Sequence, residues 1–519
     1  MQACDVLVVG AGHNGLVAAV FLARAGLQVT VVEDKTTVGG ACKTERPFAK
    51  APNLATSTGA YLLGLMPPEL LAKLGVDIPL IRRDPHYFLP TTGRRYLLLG
   101  SDRESTKQQF HAFFSERDWR ANEALHAELA QIREDVAPTW LQEPLTIEET
   151  AERWVRPPLR GAFVDLCRRP VADYLGRFDF ASDLLRAMYA VTDGFSGVTG
   201  SYHTPGTGMN FLVHNMCRLS GSDGTFMIVR GGMGTVTQRI ARAALDAGAT
   251  IQTGSKVARI LVQGQDVRGV ALADGTEIRA PVVVCNADPF RMLTLVGESS
   301  LPAEYVQRID RYRRDGTTMK VNLALRGLPR FTCLPQDKGQ YGPTIHLLPD
   351  EEDVIASLDR GFQDVQEGKL PAFPTIDWYI HTTLDPAMRD GHGYHNSALF
   401  VQWVPYTLSA GRSWSAEEGG YVKHLLSLCD RFAPGTTDLV VDTFALTPPK
   451  IEAHFGMTRG HIHHVDNTFG FADRLPYTTP VGGLYSCSAG THPAGSVIGC
   501  AGHNAAMRVL RDLGRCHAQ

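Results

Sequence analysis

The feature that most constrains this chain is the run 5–15, Asp-Val-Leu-Val-Val-Gly-Ala-Gly-His-Asn-Gly, with an acid following at Glu33. Residues 6–9 are short and wholly apolar, as expected of a parallel strand covered on both faces. Gly10, Gly12 and Gly15 then stand in G-x-G-x-x-G spacing. Residues 16–25 read as a helix stopped by Gly26, and 29–32 as a second strand ending at Glu33. Each residue type has a physical task. Gly10 permits the tight turn, Gly12 lets a pyrophosphate approach the backbone, and Gly15 lets the helix pack on the strand. The helix start offers free N–H groups and a positive dipole end to phosphates. Glu33 is placed to accept hydrogen bonds from a ribose diol. Strand, glycine turn, helix, strand and acid together form the context that a dinucleotide fingerprint requires.

The loop after Glu33 continues this pattern. Asp34 leads into Gly39-Gly40-Ala41 and then Lys43 and Thr44, a second backbone-permissive turn where an extended ligand would run. Ser57-Thr58-Gly59 is small and polar and suits close approach to a flat ring. Together they read as a cofactor wall. From about 70 to 220 the texture changes to Arg, Trp, Phe and Leu at helical spacing, as in 110–133 and 183–189, so a mostly helical inserted region is expected. At 229 the α/β rhythm returns: a helix over 235–247, strands near 249–252, 256–262, 267–273 and 276–279 with an Asp274-Gly275 turn, and an apolar strand over 281–285. Residues 301–445 alternate as strands at 320–325, 376–383 and 397–404, with a helix over 416–432. This suits a sheet with helices on one side. At the C-terminal end a strand (483–488), a glycine-rich loop (489–497) and a long helix (498–513) repeat the opening arrangement. The fold class is therefore α/β: a Rossmann-type dinucleotide domain with a parallel sheet, assembled from 1–70, 221–300 and 446–519. Residues 71–220 and 301–445 supply an inserted α+β substrate-binding domain with its helical region.

Composition narrows the function classes. A chain of 519 residues exceeds what one core organises. Its net charge of −3 gives no electrostatic case for nucleic acid. The ten cysteines include no C-x-x-C pair and read as buried or incidental thiols of a reducing compartment. Residues 1–5 carry no basic segment, so the apolar run behind them is not read as a signal peptide, and no stretch is expected to span a membrane. A cytoplasmic location is expected, with peripheral membrane contact left open and the oligomeric state unspecified.

Gly-Ala-Gly-His-Asn-Gly at 10–15, Gly-Thr-His-Pro at 490–493 and Gly-His-Asn-Ala-Ala at 502–506 resemble signatures of the flavin-dependent amine oxidase and phytoene desaturase superfamily. The likeness covers 6–44, 229–289 and 448–508 and is closest to the branch of carotenoid desaturases and ketolases. It implies FAD, bound non-covalently, as the ligand of the opening motif. It places the pyrophosphate on Gly10, Ala11, Gly12, His13, Asn14 and Gly15, and the adenosine ribose on Glu33 and Asp34. Gly39, Gly40, Ala41 and Thr44 fall on the pyrophosphate and ribityl side, with Thr58 and Gly59 beyond them. The adenine would meet the backbone of Val257, and the ribityl chain and ring would meet Gly490, Thr491 and Val497. The superfamily often has Arg after its Gly-Gly pair. Here Ala41 stands there, so the charge contact is missing or comes from Lys43. Cys487, between two serines, does not match the position of the covalent amine oxidases.

Lys320 resembles the lysine that amine oxidases hold near the flavin, and a lysine buried among apolar neighbours takes part in proton transfer at lowered pKa. A solvent-exposed strand-end lysine is the alternative. His461, His463 and His464 lack a carboxylate or cysteine at metal-ligand spacing, so no metal is assigned. His492 is expected to be structural, and His381, Trp403 and Tyr406 to line a substrate channel. The expected activity is removal of a hydride from an apolar small molecule, as a dehydrogenase or desaturase, with dioxygen or a quinone as electron acceptor. Oxidation of a C–N bond to an imine remains open as an amine oxidase reading. So does a non-catalytic FAD-holding interaction protein.

Overall fold

The computed structural model of the chain describes residues 2–349 and 352–515. Val6–Val9, Val29–Val32 and Val282–Cys285 are rich in β-branched residues and almost wholly buried, which suits strands covered on both faces. They pair in parallel. Thr250–Gln252 and Leu484–Ser486 complete a five-stranded parallel sheet in the order 250–252, 29–32, 6–9, 282–285, 484–486. Side chains alternate between its faces. Val6, Val8, Val31 and Val284 pack under helices His13–Arg24 and Cys500–Asp512. Leu7, Val9, Val32 and Val283 pack against a four-stranded sheet built from Gln2–Ala3, Glu277–Arg279, Asp266–Leu272 and Val257–Gln263. The two helices approach closely because Gly502 has no side chain: a Cβ there would lie 2.1 Å from the Asn14 carbonyl oxygen. The first helix starts at His13, earlier than its apolar spacing predicts, because Gly12 is the last extended residue and serves as its N-cap.

A seven-stranded sheet forms the second large layer, in the order Val440–Leu446, Thr318–Leu325, His395–Gln402, Thr375–Tyr379, Thr344–Leu347, Tyr87–Pro90, Tyr96–Leu99. All its pairs are antiparallel except Thr344–Leu347 with Tyr87–Pro90. One face carries Val321, Leu323, Leu399, Trp378, Ile345 and Phe88, which pack under helix Trp414–Phe432. The opposite face carries Lys320, Phe400, Asp377 and His346, which stand directly across from one another in register on four consecutive strands.

Several expectations need correction. The region 71–220 is not only helical: Tyr87–Pro90 and Tyr96–Leu99 form a hairpin that extends the large sheet. The helical reading of 110–133 joins two helices, Arg103–Phe113 and Glu116–Val136, separated where Ser115 caps the second by accepting from the Asp118 N–H. The strand expected over 376–383 stops at Tyr379, and His381–Thr383 forms a 3₁₀ turn. The described cysteines are buried, and Cys516 lies outside the described residues. Among the described residues no helix is long and apolar enough to cross a membrane.

Candidate functional site

The opening turn is built by backbone constraint. Gly10 has φ +97°, a region that glycine occupies at little cost. A Cβ on Gly15 would lie 2.2 Å from the Gly10 carbonyl oxygen, so only glycine lets the helix sit this close to the strand it follows. Gly39 and Gly40 also have positive φ. The Gly39 N–H donates to the Ala11 carbonyl at 2.9 Å, which lays the second glycine turn beside the first.

A cavity of about 790 Å³ runs from these turns to the large sheet, in the upper part of the range for small-molecule sites. At its first end it is lined by Gly10, Gly12, His13, Asn14, Glu33, Asp34, Gly39, Gly40, Ala41, Gly59 and Val257, and by Val497 from the far end of the chain. Six buried polar atoms of its described lining residues have no hydrogen-bond partner: His13 Nε2, Asn14 Oδ1, His463 Nδ1 and His464 Nδ1, and toward the large sheet Tyr61 Oη and His346 Nε2. Buried polar atoms are normally satisfied. An elongated cleft with a glycine cradle and unpaired polar atoms fits a dinucleotide cofactor.

Glu33 is 9% exposed, and both its carboxylate oxygens already accept backbone hydrogens: Oε2 from Ala11 N–H at 2.8 Å and Oε1 from Lys35 N–H at 2.9 Å. It therefore ties the glycine turn to the loop beyond the second strand while still facing the cavity. Glu33→Ala is expected to weaken cofactor retention about 10- to 100-fold, since it removes two charge-assisted bonds. Full flavin occupancy after extensive dialysis would remove Glu33 from the binding set.

Six expected contacts do not line the cavity. Ala11 is fully buried behind the turn, and Gly15 lies within the helix–strand contact. The Thr44 hydroxyl donates to the Gly231 carbonyl and accepts from the Gly234 N–H. The Thr58 hydroxyl is bound to Glu45. The Gly490 N–H donates to Ser488 Oγ, and the Thr491 hydroxyl to the Ser488 carbonyl. These groups brace the wall from behind. Lys43 lines the cavity with its Nζ 3.0 Å from Glu45 Oε1, so its charge is already matched in place.

The other end of the cavity reaches the polar face of the seven-stranded sheet. Lys320 is buried, with Nζ 4.3 Å from the ring centroids of both Tyr61 and Phe400, and no carboxylate among the described residues pairs with it. Burial pushes its ammonium down to about 7, partly opposed by the charge of Asp377. The strand-end solvent alternative is thereby excluded. Asp377 Oδ1 lies 2.7 Å from His346 Nδ1, and the His346 ring stacks on Tyr87 at 3.7 Å. Arg83, only 5% exposed, also lines this end.

The sequence reading missed Asp377, His346, Tyr87 and Arg83. The one available signal was an acid inside the apolar strand Thr-Ile-Asp-Trp-Tyr. His381, Trp403 and Tyr406, expected in the channel, lie outside its lining. His381 packs near Tyr61 and Tyr379, the Trp403 indole N–H donates to the Gly200 carbonyl, and the Tyr406 hydroxyl is bound to Glu452. His492 Nε2 lies 3.0 Å from the Thr139 carbonyl, bracing the helical region. His461 faces Asp466, and His463 Nε2 lies 2.9 Å from the Ser196 carbonyl.

The family model described as flavin containing amine oxidoreductase matches residues 15–349. The chain is 34% identical to pyridine nucleotide-disulfide oxidoreductase domain-containing protein 2 of Mus musculus, over 98% of this chain and 94% of that one. It is 26% identical to a limonene dehydrogenase component of Castellaniella defragrans, over 99% and 96%. It is 29% identical to hydroxyneurosporene desaturase of Cereibacter sphaeroides, over 98% of each. Among solved structures, an oxidoreductase from Methanosarcina mazei shares the fold with a TM-score of 0.63 at 16% identity, covering 98% of this chain and 100% of that one.

Proposed function

The chain belongs to the flavin-containing amine oxidoreductase family and is an FAD-dependent oxidoreductase, and from that premise we propose that it dehydrogenates a carbon–carbon bond of a small organic molecule. The observation that carries this reading is the single cavity joining the glycine cradle to buried Lys320. Bound FAD supplies a two-electron oxidant that accepts a hydride equivalent. The chain's own residues supply the rest. Gly10, Gly12, Gly39 and Gly40 open the backbone for the cofactor, Glu33 holds the turn that would receive it, and Val257 and Val497 would hold it from the same wall. The attachment is non-covalent in this reading, since Cys487 is fully buried and does not line the cavity.

Forming a double bond removes a hydride from one carbon and a proton from its neighbour. Lys320 Nζ takes that proton. Its depressed pKa leaves a large neutral fraction near pH 7, and the faces of Tyr61 and Phe400 stabilise the ammonium that results. Dehydrogenation and desaturation appear in the names of two full-length relatives, which supports the same reading. Oxidation of an amine fits less well. The aromatic pair that would receive a substrate ammonium is already filled by Lys320, and buried Arg83 adds a second positive charge to the same end. Dioxygen or a quinone would serve as the electron acceptor.

The test is anaerobic bleaching of the flavin with a panel of polyenes, cyclic alkenes, saturated ring compounds and amines. The expected result is bleaching by members of the hydrocarbon classes and none by amines. Bleaching by amines alone would overturn the proposal in favour of C–N oxidation.

A further inference from the structure

Arg83 has no task in the reaction as described. It is 5% exposed, and it follows the short strand Leu80–Ile81, which pairs with Ile228–Val229. Two of its nitrogens are fixed by the protein: Nε donates to the Phe226 carbonyl at 2.8 Å, and Nη1 to Thr344 Oγ1 at 2.6 Å. Both partners are neutral. Among the described residues, no carboxylate forms an ion pair with it, and its other terminal nitrogen, Nη2, has no protein partner. The carboxylate that acts on it electrostatically, Asp377, is committed to His346 at 2.7 Å. A buried charge without a counter-charge is costly and is normally paired. A guanidinium held by two bonds with one edge turned to a cavity suits a carboxylate in planar, two-point recognition.

The position of Arg83 relative to Lys320 follows from the contacts between them. Thr344, which takes the Arg83 Nη1 hydrogen, stands beside Tyr379 on the neighbouring paired strand. The Tyr379 ring lies 5.1 Å from the Tyr61 ring, and the Tyr61 ring lies 4.3 Å from Lys320 Nζ. The charged group and the proton acceptor therefore sit along one wall, separated by two aromatic side chains.

We propose that the substrate is an amphiphile whose carboxylate is received by Arg83, with an apolar segment laid along Tyr379 and Tyr61 so that the carbon to be oxidised reaches Lys320. This rests on the reading of the cavity as the site of dehydrogenation and replaces a wholly apolar substrate with an anionic one.

The test is ligand binding to the FAD-loaded enzyme, read from perturbation of the flavin absorbance and from thermal shift, without turnover. The probes are decanoate, cyclohexanecarboxylate and phenylacetate, each beside the alcohol and the amine of the same skeleton. Wild-type protein is expected to bind at least one carboxylate about 10- to 100-fold more tightly than its alcohol, as a charge-assisted pair implies. Arg83→Gln is expected to abolish that preference without changing affinity for the alcohol, and Arg83→Lys to restore part of it. The wild-type comparison needs no variant, so a variant that fails to fold leaves the test intact. Equal binding of acid and alcohol for all three skeletons would overturn the proposal, as would a preference unchanged in Arg83→Gln. Bleaching by uncharged hydrocarbons combined with no carboxylate preference would remove the anionic substrate while leaving carbon–carbon dehydrogenation in place.

Discussion

Lys320→Met is expected to keep FAD bound and to slow reduction of the flavin by substrate about 10²- to 10⁴-fold, the range of a positioned general base. The side chain is buried at the cavity wall, so Met occupies similar space and removes only the amine. The wild-type pH profile carries the diagnostic sign. Lys320 is protonated below its depressed pKa of about 7 and neutral above it. A base that must be neutral makes the rate of flavin reduction rise with pH through about 7 and then level off. The variant is expected to lose that limb, and stopped-flow reduction across pH 5.5–9 reads it directly. Stability responds in a different way. The unfolded lysine keeps its proton to its ordinary value of about 10.5, whereas the folded one releases it near 7. Between those values the unfolded state binds more protons, so this group's contribution to stability rises with pH. Replacing it by Met removes the burial cost, and the variant is expected to melt no lower than wild type at pH 7. A slowed enzyme with unchanged melting separates a chemical role from damage to the fold. Unchanged rates of both flavin reduction and reoxidation would return Lys320 to a packing role.

Gly15→Ala is expected to yield protein largely free of FAD. Its φ is not in the left-handed region, so the objection is one of space. The new methyl would meet the Gly10 carbonyl oxygen at 2.2 Å and Asn286 Nδ2 at 3.1 Å. The first obstacle is backbone and cannot rotate away. The helix start must withdraw from the strand, and the amides of the turn move with it, at a cost of about 1–3 kcal/mol for overpacking alone. Loss of registration between turn and cofactor adds to that. Gly161→Ala is the control: nothing lies within 4 Å of its Cβ and its φ is ordinary, so occupancy and melting are expected to stay at wild-type values. The ratio of flavin to protein absorbance after purification decides the matter, and full occupancy of Gly15→Ala would contradict the packing role.

The nucleotide end was legible in the sequence because its determinants are local. Gly10, Gly12 and Gly15 act on a turn and a helix within a few residues, and the valine runs 6–9, 29–32 and 282–285 declare buried parallel strands wherever they pair. The long return to 484–513 was also legible, since strand, glycine loop and helix repeat there. Less legible were the groups one layer behind the wall. Thr44, Thr58, Gly490 and Thr491 have the residue types of a cofactor loop. Their hydroxyls and amides are instead taken up by neighbouring loops, and nothing in their own spacing reveals that.

The substrate end was decided by tertiary structure. Lys320, Phe400, Asp377 and His346 face one cavity only because four strands, separated by long stretches of chain, pair in a particular register. A slip of one residue would turn all four into the apolar layer under helix Trp414–Phe432. Arg82 and Arg83 make the same point at two adjacent positions. In the sequence they are the same residue twice. In the structure Arg82 is partly exposed and pairs with Asp84 and Asp223, whereas Arg83 is buried against the cavity without a carboxylate. The sequence by itself determined the cofactor class, because backbone geometry and hydrophobic periodicity are properties of short segments. Which charges face the substrate depends on sheet register and burial, and those exist only once distant segments have packed.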